Sequence, residues 1–133
     1  MSGFILHDSD YPKIPELLAS CVLGFKESPE YEKVRDDLEI PGVVAAAFAN
    51  YLVRIQERQV SDPNDAGIAA AISSAQEMIE SLASSREPSV RTLVTDEIFE
   101  SIDPQSEALA VIVQGLKPNA LDLYKRWTGE ASS

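Results

Sequence analysis

Residues 41–60 read PGVVAAAFANYLVRIQERQV, and this stretch decides the fold. Pro41 suits the first turn of a helix, where its missing N–H is not needed. Val44, Phe48, Tyr51, Leu52 and Ile55 recur at intervals of three and four, the spacing of one helical face. Ala45, Ala46, Ala47 and Ala49 favour helix and allow neighbours to pack closely. The reading is a long central helix running to about Val60.

The same grammar extends in both directions. Downstream, Ser61-Asp62-Pro63-Asn64-Asp65 is a turn, and a helix over about 64–85 follows with Ile68, Ile72, Ala75, Ile79 and Leu82 on one side. Glu87-Pro88 restarts a helix that reaches about Ile102, lined by Val90, Val94 and Ile98. Asp103-Pro104 breaks it, and Leu109, Ile112, Val113 and Leu116 carry the next. Lys117-Pro118-Asn119 precedes a last short helix with Leu121, Tyr124 and Trp127.

Upstream, Ser28-Pro29 pairs a hydroxyl N-cap with proline at the first helical position. Tyr31, Val34 and Leu38 give that helix a narrow apolar stripe. Pro15 opens a first helix that ends near Gly24, with Leu17, Leu18, Cys21 and Val22 on its apolar side. Cys21 is expected to be a buried structural thiol. No alternating strand pattern bounded by hairpin turns occurs. Seven helices joined by short, proline-containing turns predict an all-α fold, either an irregular antiparallel helical bundle or a short stack of helical hairpins. The 133 residues form one helical domain in this reading, with 1–13 an N-terminal arm and 130–133 a polar tail.

Charge narrows the function. The chain holds 22 acids and 11 bases, a formal charge of −11. That sign repels phosphate backbones and anionic lipid, so neither nucleic acid nor membrane is the expected partner. A basic protein surface is the favoured one, although acidity also serves solubility. A single cysteine permits no internal disulfide and fits a reducing cytoplasm. Phe4-Ile5-Leu6 is too short an apolar run for a signal peptide, and nothing is long enough to span a membrane.

Few residues suggest catalysis. His7 is the only histidine and lies in the N-terminal arm, where a solvated role is expected. One His and one Cys do not make a zinc site. The six glycines are dispersed, so no phosphate-binding loop is indicated. Carboxylate pairs at helical spacing (Glu77 with Glu80, Asp96 and Glu97 with Glu100) read as charged faces. No catalytic residue, cofactor or metal is expected.

One segment stands out. Between Arg91 and Lys117 there is no Lys or Arg, while Asp96, Glu97, Glu100, Asp103 and Glu107 all fall there. On a helix, Asp96, Glu100 and Asp103 follow one another at four and three positions, and Glu107 continues the strip past Pro104. Like charges at this spacing repel by tenths of a kcal/mol per pair. Such a strip makes sense if a cationic partner covers it. These five are the candidate partner-binding residues. An exposed Trp127 would be a further anchor, although packing of Tyr124 and Trp127 on the core is the expectation.

Four segments carry a family resemblance: Pro15-Glu16-Leu17-Leu18-Ala19-Ser20-Cys21, Phe48-Ala49-Asn50-Tyr51-Leu52-Val53, Asp96-Glu97-Ile98-Phe99-Glu100 and Trp127-Thr128-Gly129. In that order they resemble a group of small, acidic, all-helical bacterial proteins of uncharacterised function, some of them immunity-protein-like. The resemblance implies no catalytic residues and, for its immunity-protein-like members, neutralisation of a toxin partner; the acidic strip would do this by covering a basic face of that partner. Two alternatives remain: a structural adaptor or self-associating helical domain, and an enzyme with a carboxylate-based site.

Overall fold

A computed structural model describes residues 8–129. Their elements are helical throughout: α1 (Ile14–Cys21), α2 (Pro29–Lys33), α3 (Pro41–Ser61), α4 (Ala66–Ala83), α5 (Pro88–Leu93), α6 (Glu107–Gln114) and α7 (Pro118–Thr128). Short 3-10 segments cover Asp8–Lys13 and Arg35–Asp37, and α5 runs on into a π-helical segment over Val94–Phe99. The all-α expectation holds. Residues 1–7 and 130–133, with His7 and Phe4-Ile5-Leu6 among them, lie outside the described residues.

Helix starts follow local chemistry. Proline occupies the first turn of α1, α2, α3, α5 and α7. At α2, α4 and α6, side chains satisfy free N–H groups of the first turn. Ser28 Oγ accepts from Tyr31 N–H at 3.2 Å. Asp65 Oδ1 accepts from Gly67 and Ile68 N–H at 2.8 and 3.1 Å. Ser106 Oγ accepts from Ala108 N–H at 3.1 Å.

The long helix α3 is the centre. It packs against α1, α2, α4, α5, the π-helical segment and α6, and it buries Val44, Phe48, Tyr51, Leu52 and Ile55. A hairpin stack would limit each unit to its chain neighbours. Contacts from α3 to α1 and α6, far apart in sequence, make this a bundle. Helix α4 contributes Ile68, Ala75, Ile79 and Leu82 to the core, as its spacing predicts, while Ile72 is only partly buried. Gln76 Nε2 donates to Ile112 O at 3.1 Å and ties α4 to α6. Gly115 leaves room for that amide, since a Cβ there would sit 3.0 Å from Nε2.

The α1–α2 turn differs from its reading. Ile14, Leu18 and Val22 face inward at intervals of four, so Cys21 falls off the buried side and is exposed. The expected buried thiol is therefore corrected, and Leu17 is only partly buried. Beyond α1 the chain turns through Gly24, whose φ of +81° suits glycine. Phe25 then re-enters the core fully buried. Its ring meets Tyr31, Phe48 and Tyr51 at 5.3, 6.0 and 5.6 Å. Tyr51 Oη donates to Leu23 O at 2.6 Å, and Leu23 N–H donates to Ser74 Oγ at 2.9 Å. The turn is thus pinned by α3 and α4 together. The 3-10 segment before α1 also packs on the bundle, through Tyr11.

Candidate functional site

The five candidate carboxylates do not share one helical face. Asp96 and Glu97 lie in the π-helical segment, Glu100 follows it, Asp103 sits in the turn before α6, and Glu107 is the first residue of α6. A π segment closes on i→i+5 hydrogen bonds, such as Glu100 N–H to Thr95 O at 3.0 Å. The helical run ends with this segment at Phe99, so Asp103 and Glu107 are carried by a turn and by another helix. The single strip expected from the sequence is corrected to three short pieces.

Glu97 turns toward the start of α3. A Cβ on Gly42 would lie 3.1 Å from its Oε2, so the missing side chain makes the space it fills. A negative charge there suits the N-terminal end of a 21-residue helix. This carboxylate lines a groove of about 570 Å³ whose other walls include Lys33, Val34, Ile40 and Ala46. Asp96 and Glu100 are exposed and line neither this groove nor the next.

Asp103 and Glu107 meet across a second groove of about 480 Å³, between the C-terminal half of α3 and the start of α6. Gln56 and Ala108 form its buried parts, 3% and 7% exposed. Val60 and Val111 are its aliphatic walls, 76% and 39% exposed. Glu57 from α3 adds a third carboxylate to the rim, and no Lys or Arg lines the groove. Asp103 Oδ1 accepts from Gln105 N–H at 2.9 Å, which steadies the turn that carries it. Sequence reasoning found Asp103 and Glu107 but missed Glu57, Val60 and Val111. Val60 lies off the Phe48–Leu52–Ile55 stripe amid polar residues, which was the available signal; its pairing with Val111 depends on how α6 docks.

Ion pairs engage a few of the other acids. The described pairs join Glu30 to Arg54, Glu32 to Arg35, Glu77 to Lys117 and Asp122 to Arg126. None of the five candidates belongs to one. Glu77 and Glu80, whose spacing also suits paired carboxylates, both hold α7. Lys117 Nζ lies 3.0 Å from Glu77. Glu80 accepts from Ala120 N–H at 2.9 Å and from Asn119 Nδ2 at 2.8 Å, capping α7 from a neighbouring helix.

Glu30 shows what a fold-bound carboxylate looks like. Arg54 Nε and Nη2 donate to its two oxygens at 2.8 and 3.1 Å. Burial pushes the Glu30 carboxyl up, but the Arg54 hydrogen bonds and charge outweigh it and hold the group below its ordinary value. That direction opposes what a general acid needs. Burial raises the Tyr51 phenol, and Arg54, 5.5 Å over its ring, is itself raised by its hydrogen bond to Glu30. Trp127 is 38% exposed, not enclosed as expected, although its ring reaches Phe99 at 5.9 Å and Tyr124 at 6.2 Å.

Among the described residues no helix is long and apolar enough to cross a membrane, and no group of three or more His, Cys, Asp or Glu is placed to hold a metal ion. What the α3–α6 groove offers is negative charge, hydrogen-bond acceptors and aliphatic surface. No protein-family model, curated protein or solved structure matches the chain.

Proposed function

We propose that this chain is a non-catalytic protein-binding module whose acidic side covers a basic surface on a partner protein, in the manner of an immunity- or antitoxin-like inhibitor. One observation carries the reading: among the described residues Asp96, Glu97, Glu100, Asp103 and Glu107 stand in no ion pair, and they fall in the stretch between Arg91 and Lys117 that contains no Lys or Arg. Carboxylates left without counter-ions cost the isolated fold a little repulsion. A cationic partner would supply the missing charges and gain association rate from the field of a −11 chain. The cytoplasm is the proposed setting.

The test uses a lysine-rich amphipathic peptide as the cationic probe. Its affinity is measured by fluorescence anisotropy for the wild-type chain and for two charge-reversed variants. One carries Asp96→Lys, Glu100→Lys and Glu107→Lys. The control carries Asp36→Lys, Asp37→Lys and Glu39→Lys, which changes the net charge equally. Loss of affinity at least tenfold greater in the first supports the reading. Equal losses would show that the peptide senses only net charge.

A further inference from the structure

We propose that the α3–α6 groove is a docking site for a protein segment that presents one aliphatic side chain between lysines or arginines, recognised by Val60, Val111 and the Gln56 amide as well as by charge. The proposal rests on the reading of the chain as an acidic protein-binding module and names the partner feature that module selects.

Three independent features converge on the groove. The first is aliphatic. Val60 and Val111 come from different helices, are 76% and 39% exposed, and line the same depression. Single exposed apolar residues are ordinary, but two that share a concave surface form a seat for a third. The second is electrostatic. Glu57, Asp103 and Glu107 rim the seat and no cation lines it. An uncharged apolar ligand would leave these carboxylates uncompensated; a purely cationic one would leave the valines wet. A side chain of Leu or Ile type with Lys or Arg on either side answers both.

The third feature is polar and buried. Gln56 is 3% exposed, yet its amide makes one long hydrogen bond, Nε2 to Gln59 Oε1 at 3.3 Å. Its carbonyl oxygen has no donor among the described residues. Gln76 Oε1 also lacks a donor, but that atom is sealed inside the protein. Gln56 instead borders the groove, where an incoming backbone or guanidinium N–H can satisfy it. A second copy of this chain is the poorer occupant, because two molecules each at −11 repel.

The experiment uses two seven-residue peptides of identical charge. One has a central leucine with two lysines on each side; the other has serine in place of the leucine. Binding is followed by amide and side-chain amide shifts of the full 133-residue chain labelled with nitrogen-15. The leucine peptide should bind about tenfold more tightly than the serine peptide, the factor expected for partial burial of one aliphatic side chain. Shifts should concentrate at Val60, Val111 and the Gln56 side-chain amide. Val60→Ser, at a position too exposed to matter to the fold, should bring the two peptides to equal affinity without abolishing either. Equal affinities for the wild-type chain, with shifts scattered over the acidic surface, would overturn the groove and leave the acidic-module reading standing. Failure of both peptides to bind would overturn the inference and the reading beneath it.

Discussion

Two of the grooves along α3 each contain an exposed aliphatic side chain. In the groove near the α1–α2 turn, Leu23 is 54% exposed, and Arg54 and Arg58 stand among Glu27 and Asp65. In the α3–α6 groove, Val60 is 76% exposed and the rim is purely acidic. The first region supplies both signs of charge from within the chain. Its turn is pinned through Leu23 N–H and O, and Phe25 locks beneath it. The second supplies one sign only. Exposed apolar surface is therefore common to both and diagnostic of neither; whether the local charges already have partners is what separates a structural seam from a surface left open.

Several substitutions would break or sharpen that contrast. Phe25→Ala should be the most damaging, because it removes a fully buried ring that three aromatics share; a loss of about 3–5 kcal/mol in urea unfolding is expected. A loss under about 1 kcal/mol would mean the turn is not part of the core. Gly24→Ala should cost about 2 kcal/mol, since it forces a side chain into a left-handed backbone and against the Tyr51 hydroxyl.

On the far side of the bundle, Glu80→Ala should cost about 1 kcal/mol by stripping the cap from α7. Amide exchange should accelerate first at Asn119 and Ala120, and unchanged exchange there would remove the capping role. Glu30→Gln tests the paired region through pH. The folded carboxyl releases its proton more readily than the unfolded one, whose ordinary value is 4.5. Its stabilisation is therefore complete above that value and is lost as the pH falls through the lower folded value. The variant should lack this part of the acid-side decline; an identical decline in both proteins would show that the Arg54 pair contributes nothing measurable.

The helix starts were legible because their chemistry is local: Ser28-Pro29, Pro41 and Pro118 announce themselves to the chain that contains them. The dominant role of α3 was equally visible in the Val44–Phe48–Tyr51–Leu52–Ile55 spacing. Phe25 was not placed, because its burial depends on the reversal at Gly24; a glycine after a helix followed at once by an aromatic is the signal that points to it. The helical run ends at Phe99, ahead of the Asp103-Pro104 break, so extending a helical period through Asp96, Glu100 and Asp103 joined carboxylates that lie on different elements. The candidate groove was half legible for a related reason. Asp103 and Glu107 lie within one base-free stretch, whereas Glu57, Val60 and Val111 become neighbours only after α6 packs on α3.

The central claim is that the acids between Arg91 and Lys117 are dispensable to the fold. It is tested most directly by urea unfolding at low salt of a variant combining Asp96→Asn, Glu100→Gln, Asp103→Asn and Glu107→Gln. Removing four carboxylates that have no cationic partner among the described residues should leave the unfolding free energy within about 0.5 kcal/mol of wild type. A loss of more than about 2 kcal/mol would mean these charges hold the bundle together and are not reserved for another molecule.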